Sequence, residues 1–175
     1  MRLATTPIWL RAFAFLVVVP GAVAGWIPWW IAGAPPLSSG SGRVAAQWLG
    51  AAFATLGATI VLWCTRDFVR RGRGTPAPHD PPVTLVTGGL YQVTRNPMYL
   101  GVLALIVGQA LWFASGPVLV YAAAVAIAFH VRVLMYEEPR LSRSFGPAYA
   151  EYCARVSRWL PRLRRNVGKH SLRQQ

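Results

Sequence analysis

A chain of 175 residues is one domain by length, but 54% apolar against 13% charged residues is too greasy for an ordinary soluble domain and suits one dissolved in a bilayer. Eighteen Lys and Arg against five Asp and Glu give a formal charge of +13. No nucleic-acid-binding motif accompanies that charge, and it falls between and after the apolar blocks, where basic residues meet anionic headgroups, so membrane lipids rather than nucleic acid are the expected partners.

Lipid cannot satisfy a bare backbone amide, so a span needs about 20 apolar helical residues. The first such stretch runs from Ala12 to Ile31, interrupted by Pro20 and Pro28 and ending in Trp26, Trp29 and Trp30, an interfacial cluster. Arg2, Arg11 and Ala22-Val23-Ala24 also fit a cleaved signal peptide, but the apolar run continues to Ile31, so the segment reads as a retained, kinked span. Residues 33–43 are a Gly/Ser/Pro loop, and Val44 to Thr65 form a second span without formal charge. From Arg66 to Pro97 the chain turns Arg- and Pro-rich and predicts a largely irregular loop of functional length.

Met98 to Trp112 form the third span, and Ser115-Gly116-Pro117 turns the chain into the fourth, Val118 to Tyr136, as an antiparallel hairpin. Gly101, Leu105, Gly108 and Trp112 share a face of the third span, and their small members admit a closely facing alanine-rich helix. Beyond Glu137, the helical period of Leu141, Phe145, Tyr149, Tyr152 and Val156 predicts two short interfacial helices opened by Pro139 and Pro147, and the stretch from Arg162 reads as a disordered basic tail. Cys64 and Cys153, one in a span and one in the tail, read as packing residues with neither a disulfide framework nor a metal site.

The expected fold is therefore all-α: a polytopic membrane helical bundle of about four transmembrane helices plus short amphipathic C-terminal helices. It divides into residues 1–65, a two-span region; 66–161, a core of loop, hairpin and interfacial helices; and 162–175, the tail. Arginine asymmetry puts both termini in the cytoplasm of a plasma (bacterial inner) membrane.

Two polar constellations flank the hairpin. Thr87 to Gly101 is a glycine turn followed by a Pro-initiated helix start, whose free amides suit a ligand carboxylate, although an ordinary interfacial loop has the same composition. His130, Arg132, Glu137 and Glu138 lie at the other end of the hairpin, where ionisable groups beside a span are costly. In a regular helix His130, Val133 and Glu137 share a face, Arg132 lies roughly 140° from Glu137, and Glu138 lies about 100° further round. His130 and Glu137 are then expected to line one cavity, with Glu137 the dominant carboxylate.

Together these segments resemble the isoprenylcysteine carboxyl methyltransferase family and its phospholipid methyltransferase relatives. The resemblance rests on Gly89-Leu90-Tyr91, Arg95-Asn96-Pro97-Met98-Tyr99-Leu100-Gly101, Glu137-Glu138, Phe145-Gly146-Pro147-Ala148-Tyr149-Ala150-Glu151-Tyr152 and Arg158-Trp159-Leu160-Pro161, in order and at family spacing. It implies a membrane enzyme with a cytoplasmic pocket for S-adenosylmethionine, no metal, and a small or lipid-like methyl acceptor: a carboxylate, an amine or a thiol. Carried over residue by residue, it implies cofactor contacts at Val83, Thr84, Leu85, Val86, Tyr91, Asn96, Pro97, Met98, Tyr99 and Glu137. Glu137, Arg132 and His130 are the candidates for the catalytic end. Two departures stand out. The family's His before the proline is Asn96, which bonds but does not titrate. The arginine that meets the substrate carboxylate in the prenylcysteine enzymes falls at Val133, one residue from Arg132. The competing readings are a membrane reductase of the sterol-reductase type using NADPH, for which Arg95 alone is a poor phosphate site, and a non-enzymatic membrane scaffold.

Overall fold

A computed structural model describes residues 7–33, 41–72, 75 and 83–160, so the basic tail from Arg162 and most of the two interhelical loops, 33–43 and 73–82, lie outside the described residues. Among the described residues the regular elements are helices: α1 (Ile8–Gly21), α2 (Ile27–Ala32), α3 (Ser41–Asp67), α4 (Pro97–Phe113), α5 (Gly116–Arg132) and α6 (Glu138–Arg155). Three continuous helical runs, Ile8–Ala32, Gly42–Gly72 and Gly116–Arg155, are long and apolar enough to cross a membrane, and Pro97–Phe113 is a shorter apolar helix. The protein is an all-helical integral membrane protein.

The first span stays helical through its prolines because its freed carbonyls find partners elsewhere. Between α1 and α2 the chain makes a π-turn, Ala22–Trp26, in which the Ile27 amide reaches Ala22 rather than Val23. The released Val23 carbonyl accepts the Tyr121 hydroxyl at 2.9 Å. Pro28 has no amide to give Ala24, four residues back, and the Ala24 carbonyl accepts from Gln109 Nε2 instead. In hydrocarbon an unsatisfied carbonyl costs several kcal/mol, so these two bonds tie the first span to α4 and α5.

The tightest packing joins α3 and α4. A Cβ on Gly50 would sit 2.6 Å from the Gly108 carbonyl, and one on Gly57 would sit 2.5 Å from that of Gly101. The two glycine pairs, each seven residues apart, let the backbones touch, so the face carrying Gly101 and Gly108 meets α3 rather than the hairpin partner. Hairpin, first span and α3 then close a core of Ala24, Val61, Val102, Ile106, Ala110, Val118 and Ala122.

Helix starts fall up to four residues earlier than the sequence reading, Ile8 for Ala12 and Ser41 for Val44, and two helix ends differ as well. α3 runs past Thr65 to Asp67 and continues as a π-turn to Gly72, supported by the Asp67–Arg71 pair at 3.4 Å, so the arginine-rich stretch begins as helix rather than loop. The fourth span leaves regular α geometry after Arg132: Val133–Glu137 is a π-turn in which the Glu138 amide bonds the Val133 carbonyl, with amide-less Pro139 next. α6 is two helical pieces, as the tail periodicity predicts, hinged at Gly146 (φ 51°) ahead of Pro147. Gly57→Val should lower the stability of the detergent-solubilised protein by ~1–3 kcal/mol or more, because backbone cannot yield as a flexible side chain does. Thermal unfolding of that variant beside Gly116→Ala, whose added Cβ meets nothing within 4 Å, checks the expectation.

Candidate functional site

One end of the bundle gathers the segment before α4, the first turn of α4, the end of α5, the π-turn and α6 around a cavity of about 370 Å³. That is within the range of small-molecule sites, roughly 300–1,000 Å³. Its walls are mostly apolar and aromatic, with Arg95, Asn96, Arg132, Glu137 and Glu138 as the polar groups facing in.

The approach segment is shaped by a glycine pair. Gly89 adopts φ 63°, and a side chain there would collide with the buried Asp67 carboxylate. This close pass delivers Tyr91, on the 3₁₀ turn Gly89–Gln92, into the cavity wall. Its ring packs edge-on to Phe68 at 5.7 Å, and its carbonyl accepts the Tyr152 hydroxyl at 2.7 Å. Burial pushes the Tyr91 phenol well above its ordinary pKa, so it stays neutral through the physiological range.

At the opposite wall the π-turn decides which charges meet. A π-turn closes after five residues, so Arg132 and Glu137 come to the same side instead of standing 140° apart. Arg132 Nε donates to Glu137 Oε1 at 2.9 Å and to the Tyr99 hydroxyl at 3.1 Å, and the Tyr99 hydroxyl donates to Glu137 Oε1. The Tyr99 ring lies 4.3 Å from that of Phe129, centroid to centroid. Glu138, expected to be turned away, lines the cavity as well. It accepts a bidentate pair from Arg158 at 2.7 and 2.9 Å and a further contact from Arg95 at 3.1 Å.

That second cluster fastens the chain after α6 to the segment before α4. The Arg95 amide donates to the Ser157 carbonyl at 2.9 Å, and the Arg158 carbonyl accepts from Thr94 Oγ1 at 2.9 Å and from Asn96 Nδ2 at 3.0 Å. Asn96 therefore borders the cavity while its side-chain amide holds the segment after α6. Arg95 also donates to Cys153 Sγ at 2.7 Å, which gives that thiol a polar partner; Cys64 is fully buried against Tyr91.

Of the residues singled out from sequence, Leu85, Val86, Tyr91, Asn96, Met98, Tyr99, Arg132 and Glu137 line the cavity. Four do not. His130 is exposed and accepts from Trp159 Nε1 at 3.1 Å, so the cavity expected to join it to Glu137 does not form; the π-turn carries Glu137 off its face. Val83 and Thr84 are exposed and spend their amides on the Gly72 carbonyl, and Pro97 is buried at the helix start without lining the cavity. Sequence reasoning missed Phe15 and Val19 of α1, Phe68 of the π-turn after α3, and the cavity-facing role of Tyr149 and Tyr152. The two tyrosines stood inside a recognised motif; the others carry no local signal. Among the described residues no group of three or more His, Cys, Asp or Glu is placed to hold a metal.

Comparison with known proteins finds relatives and a family profile that match part of the chain. Protein-S-isoprenylcysteine O-methyltransferase B of Arabidopsis thaliana is 38% identical over 78 residues, 44% of this chain and 39% of that protein. Protein-S-isoprenylcysteine O-methyltransferase A of the same plant is 35% identical over 77 residues, again 44% of this chain and 39% of the relative. The match thus spans well under half the length of either relative, and no solved structure matches the chain. The profile of the phospholipid methyltransferase family matches residues 45–148, which is more than half of the chain and runs from α3 into α6. The chain belongs to the phospholipid methyltransferase family.

Proposed function

We propose that this chain moves a methyl group from S-adenosylmethionine to a lipid-like acceptor carrying a carboxylate, amine or thiol, at the cytoplasmic face of the membrane. The observation that carries the reading is the Tyr99–Glu137–Arg132 cluster, which brings two of the family-like motifs together inside one cavity. The family profile and the names of the two relatives support the same reaction class. Nothing in the site favours a nicotinamide cofactor over this donor.

The residues fit such a donor on their own chemistry. Aromatic faces at Tyr91, Tyr99 and Phe129 suit an adenine ring, and Glu137 suits a ribose or a cation near those rings. When bound, the donor supplies an already activated methyl, which passes to the acceptor's nucleophilic atom as the carbon–sulfur bond breaks and sulfur keeps the electron pair. The chain's task is then alignment and exclusion of water, which can supply much of the barrier reduction. Arg132 is the cation available to an acceptor carboxylate. Its one-residue displacement from the position implied by the prenylcysteine enzymes is offset by the extra residue of the π-turn, which returns it to the Glu137 side. An amine acceptor would first need to lose a proton. With His130 turned outward, Glu137 is the nearer base in that case.

Calorimetry on the detergent-purified protein should give binding of S-adenosylmethionine and of its demethylated product, and none of NADPH. Binding of NADPH alone would overturn the reading. Glu137→Gln and Arg132→Ala should each lower methyl transfer by on the order of tenfold to a hundredfold, since each removes a charge-assisted hydrogen bond. The double variant should lose less than the product of the two, because both act through one carboxylate and one hydroxyl. Multiplicative losses at matched folded yield would show that the two residues work separately. Glu138→Gln should instead cost stability, by ~1–3 kcal/mol, by loosening Arg158 and Arg95.

Orientation is checked with single cysteines at Gly116 and Ser144, both exposed, in a background with Cys153 replaced by serine. With the site cytoplasmic, an impermeant thiol reagent added outside intact cells labels the cysteine at 116 and spares the one at 144. The opposite pattern would invert the topology.

A further inference from the structure

Asp67, the last residue of α3, is a carboxylate kept almost wholly out of solvent, with 3% of its surface accessible. Its Oδ1 meets Arg71 Nε at 3.4 Å, whereas its Oδ2 has no hydrogen-bond partner among the described residues. A buried carboxylate oxygen without a donor costs stability, so the fold gains something other than stability by keeping it there. What the carboxylate touches is the Gly88–Gly89 turn. A Cβ on Gly89, at φ 63°, would run into Asp67 Oδ2, and a Cβ on Gly88 would run into Arg71 Nη1. Carboxylate and guanidinium thus lie directly against the backbone of two successive glycines from a segment distant in sequence. None of the motifs that carry the family resemblance includes Asp67.

Both sides of this contact lead into the cavity. Phe68 follows Asp67 directly and lines the cavity from the π-turn Phe68–Gly72, and Tyr91, two residues after Gly89, lines it from the 3₁₀ turn. The Tyr91 amide donates to the Gly88 carbonyl at 3.3 Å, and the Tyr91 ring meets the Phe68 ring edge-on at 5.7 Å. Gly88 therefore fixes where the turn carrying Tyr91 begins, and the Asp67–Arg71 pair holds Gly88 and Gly89 against the end of α3. Asp67 itself does not line the cavity. We infer that Asp67, braced by Arg71, is a positioning residue: it sets the placement of Tyr91 relative to Phe68, and through these two rings the fit of the wall to the methyl donor. The inference rests on the methyl-transfer reading above and assigns this wall to the donor.

The test uses the full chain in detergent, with 3-fluorotyrosine at position 91 read by fluorine NMR, binding of S-adenosylmethionine and its demethylated product read by calorimetry, and thermal unfolding as the control. Asp67→Asn keeps the shape and removes the charge. It should lower affinity for both ligands about tenfold, the scale of one impaired aromatic–base contact, and should split or broaden the fluorine resonance. Its unfolding temperature should change little, because a buried charge is removed and the pair it breaks involves an arginine more than half exposed. Arg71→Gln leaves the carboxylate in place and should move affinity and resonance in the same direction by less. Unchanged donor affinity or an unchanged fluorine resonance in Asp67→Asn overturns the assignment. So does an affinity loss that comes with a lower unfolding temperature in both variants, which marks a merely stabilising pair. Should Asp67→Asn fail to fold, the same criteria apply to Arg71→Gln. If the unsubstituted chain binds neither ligand while the resonance responds to Asp67→Asn, the hold on Tyr91 stands and the methyl-transfer reading falls. If the donor binds equally to both, the positioning role falls and the methyl-transfer reading stands.

Discussion

The turn Val133–Glu137 holds one residue more than an α-helical turn, and that residue changes what lies opposite what at the end of the fourth span. In a continuous α-helix Arg132 and Glu137 would stand on different faces, and Tyr99 on α4 would meet one of them. With the extra residue, guanidinium, carboxylate and phenol close into one cluster. Glu138, just after this turn, reaches Arg95 and Arg158, and beyond the hinge at Gly146 Tyr149 and Tyr152 line the cavity. π-turns are uncommon because their hydrogen-bond geometry is poor, and they concentrate where function requires a particular placement of side chains. Amide-less Pro139 adjoins this one, and the Arg132–Glu137 pair spans it.

Backbone polarity in hydrocarbon imposes the second constraint. Two carbonyls of the first span lose their intrahelical donors, one to the π-turn and one to Pro28, and each recovers a side-chain donor from a neighbouring helix. The prolines that would weaken a soluble helix thus become points of attachment. Small residues do the corresponding work between α3 and α4, where glycine pairs replace side-chain packing with backbone contact. These two contacts set where the walls of the cavity stand.

The cavity's polar side is closed by ion pairs of unequal exposure. Glu138 is mostly shielded and doubly bonded to Arg158, which favours a fixed segment after α6 over a mobile one. Arg132 is more open, with about two-fifths of its side chain accessible. The two carboxylates thus occupy adjacent positions, and each meets its own arginine, Glu137 with Arg132 and Glu138 with Arg158.

Much of this was legible in the chain. Spans of about 20 apolar residues, the helix starts at Pro97 and Pro139, the break at Gly146 and the order of the motifs follow from hydropathy, proline geometry and local spacing, because each depends on residues near one another in sequence. Tyr91, Tyr99 and Glu137 could be selected through the motifs that carry the family resemblance. What the sequence left open depended on contacts between distant segments. That Gly101 and Gly108 meet α3, that His130 turns outward to Trp159, and that Phe15 and Val19 reach the cavity could not be read locally, since an apolar residue facing lipid and one facing a cavity look alike in a hydrophobic span. The π-turn is the sharpest case: a uniform 100° per residue separates Arg132 from Glu137, and only the tertiary pairing of these two side chains with Tyr99 accompanies the extra residue that brings them together.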